Sequence, residues 1–181
     1  THHLEFYEER ETLAILERSA RLLALESVAA EALRTIAVRS RGTPRVANRL
    51  LRRVRDYAQM RRGGRFEPDV VDEALELEGV DALGLDQLDR AYMRTIGEVY
   101  GGGPVGLEAI AATLNEDAGT LEDMVEPYLL QIGFLARTRK GRQLTRGGAT
   151  HLGLAFTEPP TNEGLFNEAA QPGHDNGESK D

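Results

Sequence analysis

Apolar residues recur at three- and four-residue steps along most of this 181-residue chain, the period of helices that bury one face. Leu13, Leu16, Ala20 and Leu23 predict a first helix over 8–23. Ser27 is placed to cap a second that runs to about Val38, with Leu33, Ile36 and Ala37 inward. A third, 43–61, gathers Val46, Ala47, Leu50, Leu51, Val54, Tyr57 and Ala58 on one face. Thr43 suits its N-cap, Pro44 its first helical position, and Gly63-Gly64 its end. Pro68 opens a fourth helix through Leu77, and 79–84 reads as a short connector. Beyond it Leu85, Leu88, Tyr92, Ile96 and Val99 form one helical face, closed by Gly101-Gly102-Gly103-Pro104. A short helix over 107–114 and another over about 120–132 follow. The pattern then shortens to two strands, 134–138 and 143–145, joined by a basic turn at Gly141, with a last helix near 149–154. Three helices followed by a hairpin make a winged helix. The expected architecture is mainly α: a helical unit over 1–79, then a winged helix with a small β-hairpin wing over 80–156. The Pro- and Gly-containing stretch 157–181 holds six acids against one Lys and is expected to be a disordered acidic tail.

Charge changes this picture. The net charge of −8 would argue against nucleic acid if it were spread evenly. Instead eleven arginines lie between Arg34 and Arg65, against the single acid Asp56. A second basic island, Arg137, Arg139, Lys140, Arg142 and Arg146, contains no acid. Two polyanion-facing surfaces are therefore possible. No segment approaches a membrane span, and without Cys there is no disulfide or thiolate metal site; a cytoplasmic setting fits. The chain opens Thr1-His2-His3-Leu4, with no initiator Met and no signal pattern, and reads as a piece of a longer polypeptide.

Candidate chemistry is narrow. No Gly-rich loop ends in Lys-Ser/Thr, and no apolar strand ends in paired acids. The chain is thus expected to hydrolyse no nucleotide unaided, and it offers no catalytic residue of its own. His2 and His3 are adjacent, His151 and His174 isolated, so no metal site is expected. Arg45 is different. It falls in the first turn of the third helix, where backbone N–H groups already concentrate positive charge. A cation there is unfavourable by roughly 0.3–1 kcal/mol unless an anion compensates it. A phosphate would do so; on the motif alone, a surface ion pair is the simpler account. Tyr7 either staples the first helix or packs against a base. The helix at the DNA-recognition position carries Glu122, Asp123 and Glu126 and no base, so it would be repelled by phosphates. DNA contact would fall to the hairpin, through Arg137, Arg139, Lys140 and Arg142, with phosphate rather than sequence readout. A protein-interaction wing is the alternative.

The residue strings add a resemblance. Leu4-Glu5-Phe6-Tyr7, the run Gly-Thr-Pro-Arg-Val-Ala-Asn-Arg-Leu-Leu-Arg-Arg-Val-Arg-Asp-Tyr-Ala over 42–58, Gly-Gly-Pro-Val-Gly-Leu over 102–107, Glu-Pro-Tyr-Leu over 126–129 and Gln-Ile-Gly-Phe-Leu-Ala-Arg-Thr over 131–138 carry it. In order, and over about residues 4–155, they resemble the RuvB family of bacterial Holliday-junction branch-migration motors. That resemblance implies an AAA+ lid followed by a winged helix, from a hexameric ATPase acting in recombination and DNA repair. ATP and Mg²⁺ would be held by a large domain outside this chain, which would also meet RuvA. Tyr7 and Arg45 would contact ATP. Arg137 and Arg142 would contact junction or duplex DNA, with Arg139 and Lys140 as secondary contacts. Arg139-Lys140 stands where a Pro-Arg pair is familiar, and the tail has no familiar counterpart. Two other classes predict different residues. The lid and winged helix of a replication-initiator ATPase would have a basic recognition helix. A stand-alone winged-helix regulator would have Arg, Asn or Gln near that helix's start.

Overall fold

The computed structural model describes residues 7–25 and 27–156. The expected tail, 157–181, and the Leu4-Glu5-Phe6 part of the N-terminal motif lie outside the described residues. Four helices come first: α1 (Glu9–Leu22), α2 (Ala30–Arg39), α3 (Pro44–Arg61) and α4 (Pro68–Leu77). Their inward faces share a core built on Leu16, Ile36, Leu50, Leu51, Phe66 and Leu75. Each such side chain stabilises the fold by about 1.5–3 kcal/mol relative to exposure. α3 starts at Pro44, whose fixed φ suits a first helical position, but the Thr43 hydroxyl makes no capping hydrogen bond. Ser27 is not a cap. Val28 pairs with Phe66 in a parallel bridge, the Ala29 N–H donates to the Phe66 carbonyl at 3.2 Å, and α2 begins only at Ala30. This backbone pairing takes the chain past Ser27, which is left at φ 56°.

The second core gathers Leu85, Tyr92, Met93, Ile96, Ile110, Leu121 and Leu129. Around it lie α5 (Gln87–Arg94), α6 (Leu107–Leu114), α7 (Ala118–Thr120), α8 (Glu126–Gln131), the hairpin β1 (Leu135–Thr138) and β2 (Gly141–Leu144), and α9 (Arg146–His151). Asp86 caps α5 by accepting from the Leu88 and Asp89 N–H groups, and the Asp89 carboxylate accepts from the Asp86 N–H at 2.7 Å. Past Arg94 the helix widens into a π turn, Thr95–Val99. One extra residue per turn rotates the following positions by roughly 100°, so Val99, expected inside, is exposed. The helix expected over 120–132 is likewise broken into α7, a π turn at Leu121–Val125, and α8. Pro127 has no N–H for the helical ladder, and the Glu126 N–H donates back to the Leu121 carbonyl.

The two strands pair antiparallel, with Arg137 opposite Arg142 and Thr138 opposite Gly141. β2 therefore starts earlier than the apolar pattern suggests and already includes Arg142. Val105 pairs with Arg142 from the outer side, exchanging N–H···O bonds of 3.0 and 2.8 Å. Gly141, at φ 137°, permits this: a Cβ there would run into the Val105 backbone. α9 begins at Arg146 rather than near 149, because the Thr145 hydroxyl accepts from the Gly148 N–H at 3.2 Å.

Candidate nucleotide and DNA interfaces

The first candidate surface is set by α3. Its amphipathic pattern commits Ala47, Leu50, Leu51, Val54 and Ala58 to the core, and the intervening positions turn arginines outward. Arg45, Asn48, Arg49, Arg52 and Arg53 line an open groove of about 490 Å³. Arg53 stands 3.6 Å from Glu78, and Arg55 is paired with its neighbour Asp56. Arg45, Arg49 and Arg52 have no carboxylate partner among the described residues, and the first turn of α3 contains no acid. The surface ion pair that would have explained Arg45 is thus not formed among the described residues. Tyr7 is half exposed, and its backbone N–H donates to the Gly42 carbonyl at 2.9 Å. The chain entry and the Gly42-Thr43-Pro44-Arg45 loop are therefore adjacent, although Tyr7 does not line the arginine groove.

The second surface is the hairpin. Arg137 and Arg142 face each other across the strands, a like-charge pair that is unfavourable unless compensated. The compensation comes from the acidic helix. Glu126, fully buried, accepts from Arg142 Nε at 2.8 Å, from Arg137 Nε at 2.7 Å and from the Tyr92 hydroxyl at 2.6 Å. Glu122 Oε1 accepts from Arg137 Nη2 at 2.9 Å and lies 3.5 Å from Arg142 Nη2. Two carboxylates and two guanidiniums cancel locally. Burial alone would raise the Glu126 carboxyl, but hydrogen bonds from Arg142, Tyr92 and Arg137 outweigh it and hold it below the ordinary carboxylate range. The acids at the recognition position thus anchor the wing. Their repulsion of phosphate, expected from the sequence, applies in full only to Asp123.

This arrangement ranks the four hairpin cations. Arg142 is 19% exposed and Arg137 44%, both already engaged. Arg139 and Lys140, at the turn, are exposed, and their side chains have no partner among the described residues. Glu122 is exposed and competes directly with any phosphate for Arg137. A Glu122→Gln variant should therefore bind duplex DNA several-fold more tightly at low salt, with folding stability changed by less than about 1 kcal/mol. A fluorescence-anisotropy titration checks this, and equal affinities would show that Arg137 does not meet phosphate.

A junction missed by sequence reading joins the two halves. Arg41, from the turn before α3, reaches Asp89 in the first turn of α5 and the Gly84 carbonyl. Burial pushes the Asp89 carboxyl up to about 6 against the pull of Arg41. Charge spacing carries no sign of this pair, which lies 48 positions apart.

Comparison with known proteins gives the family and the fold. The family model for the RuvB AAA lid domain matches residues 7–81, and that for the RuvB C-terminal winged helix domain matches residues 82–153. The chain belongs to the RuvB family. It is 51% identical over 166 residues to the RuvB subunit of the Holliday junction branch migration complex of Dehalococcoides mccartyi, covering 91% of this chain and 47% of that protein. The corresponding subunit from Lactococcus lactis subsp. lactis is 49% identical over 86% of this chain and 46% of its own length. The solved RuvB branch migration motor of Thermotoga maritima superposes with a TM-score of 0.81 at 45% identity, covering 85% of this chain and 51% of that one. The chain spans about half the length of the RuvB relatives it matches. The two family matches meet in the connector, so α1–α4 correspond to the RuvB lid and α5–α9 with the hairpin to its winged helix. Among the described residues, no helix is long and apolar enough to cross a membrane.

Proposed function

We propose that this chain is the nucleotide-sensing lid and DNA-gripping winged helix of an ATP-driven motor that migrates four-way DNA junctions in recombination and repair. The observation that carries the reading is Arg45: a guanidinium without a partner among the described residues, in the helix turn least hospitable to a cation. In RuvB-like surroundings, the group that resolves this conflict is the polyphosphate of ATP, with Tyr7 beside it at the lid entrance. The fit is partial. Arg45 can meet terminal phosphates, but the sequence has no phosphate loop, and no cluster of metal-ligating residues exists among the described residues. Mg²⁺ and the reacting water would therefore be handled by a large domain of the complete motor, working as a cytoplasmic homohexamer with RuvA. The lid unit, 1–79, would follow the nucleotide state, and the winged helix, 80–156, would carry the motion to DNA.

At the DNA end, a translocating motor needs grip without sequence preference, which phosphate contacts supply. Arg139 and Lys140 present free charge, and Arg137 adds a half-exposed guanidinium held in place by Glu126. The test is the salt dependence of junction binding by this chain. The pair Arg139→Ala and Lys140→Ala should weaken binding and reduce the slope of log affinity against log salt by about 2, near 0.9 per phosphate contact on duplex DNA. Arg137→Ala should reduce it by about 1 more, while Arg142 and Tyr92 keep Glu126 satisfied. An unaltered slope in the turn variant would leave the hairpin a protein-interaction wing.

A further inference from the structure

The best-buried charged contact between the two halves is made by Arg41, four residues before Arg45. Its backbone is in the left-handed region, φ 56°, followed by Gly42 at 63°. Non-glycine residues populate that region sparsely, and it persists where the surroundings over-determine it. Here backbone bonds at the end of α2 hold the turn, from the Arg41 N–H to the Val38 carbonyl at 3.4 Å and from the Thr43 N–H to the Ser40 carbonyl at 3.1 Å, and the side chain's contacts add to them. The guanidinium is 14% exposed and grips Asp89, itself 1% exposed, with both terminal nitrogens, one bond measuring 3.2 Å. Its Nε donates to the Gly84 carbonyl at 2.6 Å, and its Cζ lies over the Tyr128 ring, 4.8 Å from the centroid. The Tyr128 hydroxyl in turn donates to the Leu83 carbonyl at 2.7 Å. A single lid side chain thus holds the connector, the start of α5 and α8.

The connector is itself bound to the winged helix. Arg90 donates to the Gly79 and Leu85 carbonyls at 2.8 and 2.6 Å, and His151 meets Asp81 at 2.8 Å. Gly84, at φ 79°, sits so close to the Arg39 backbone that a Cβ would collide with it. The sequence pattern predicts a linker at 79–84; the structure has a stitched seam with Arg41 as its central fastening.

We infer that Arg41 and Asp89 form a clamp that makes the lid and winged helix one rigid lever, so that displacement of the Arg45 turn moves the DNA-gripping hairpin. Arg41 is a positioning residue: its contacts run to Asp89, the Gly84 carbonyl and the Tyr128 ring. The rigidity stands on the contacts above, whereas its use in coupling rests on the motor reading. A bidentate guanidinium suits the task because its fork fixes orientation as well as distance. A lysine would keep the charge and lose the geometry.

Residual dipolar couplings of this chain test the clamp. In the wild type, one alignment tensor should fit the amides of both halves. Arg41→Met and Asp89→Asn should each require two tensors, with each half still fitting its own wild-type structure. The Asn side chain keeps the oxygen that caps the Asp86 N–H, so the second variant separates hinge loosening from cap loss. A single shared tensor in both variants, or collapse of the couplings within a half, overturns the clamp. In the complete motor, Arg41→Met should lower base pairs migrated per ATP at least fivefold, and Arg41→Lys should restore little of it. Migration and hydrolysis falling in equal proportion would overturn the coupling role. A wild-type motor that migrates no junction would sink the motor reading while leaving the tensor result intact.

Discussion

Replacing Arg45 with alanine in the complete motor should cut ATP turnover by about 100-fold or more while leaving this half of the protein as stable as before, or slightly more so. Both effects have one cause. In the first turn of α3 the guanidinium adds positive charge to a positive helix end, at a cost of roughly 0.3–1 kcal/mol, and no carboxylate among the described residues relieves it. Removing it relieves that cost. Toward a bound polyphosphate the same helix end and guanidinium act together, and the loss of one pre-positioned donor to developing negative charge typically costs about 10²–10³ in rate. A residue with a purely structural role would show the opposite pattern, losing stability and sparing turnover. Steady-state hydrolysis and thermal melts on the same preparation decide between them. Turnover within twofold of wild type would remove Arg45 from the nucleotide site.

Glu126→Ala should destabilise the winged helix strongly. It strips a fully buried carboxylate from beneath Arg142, Arg137 and the Tyr92 hydroxyl, and it leaves two opposed guanidiniums with only the exposed Glu122 to offset them. Breaking a buried ion pair costs about 3–5 kcal/mol. Because Arg137 is nearly half exposed and can turn to water, the low end, about 3 kcal/mol, applies. For a unit of this size that lowers the melting midpoint by roughly 12–24 °C. The pH dependence carries the same signature. With its folded pKa held below the unfolded one, Glu126 contributes stability that is fully present above about pH 4.3 and is lost as the pH falls through the folded value. Glu126→Gln should remove that acid sensitivity from the winged-helix transition. Melting midpoints for Glu126→Ala and wild type that agree within 2 °C would show that the four-charge cluster holds nothing together.

These two residues show where sequence reading succeeds and where it stops. The first-turn position of Arg45 was legible because its context is local: Thr43 and Pro44 mark the helix start, and the macrodipole makes any cation there anomalous. α4 was legible from Pro68 to Leu77 for the same reason, and so was the presence of a hairpin with Gly141 at its turn, although β2 starts at Gly141 rather than Gln143. The role of Glu126 was not. From the sequence, three acids on the recognition-position helix meant repulsion, because nothing along the chain says that residues 137 and 142 fold back onto position 126. Val99 and the broken helix after Ala118 were missed for a different reason. Helical periodicity assumes a constant turn, and each π turn shifts the phase after it.

Covalently local information set the helical character, the two cores, the change to a β wing and the conflict at Arg45, since propensity, caps and amphipathic spacing act within a few residues. Contacts that depend on where distant segments come to rest were decided by folding itself. The Arg41–Asp89 clamp, the seam at 79–84, the neutralised pair Arg137 and Arg142 and the free pair Arg139 and Lys140 are all of this kind. Their energies come from desolvation and exact charge geometry, which have no value until the surrounding elements have packed.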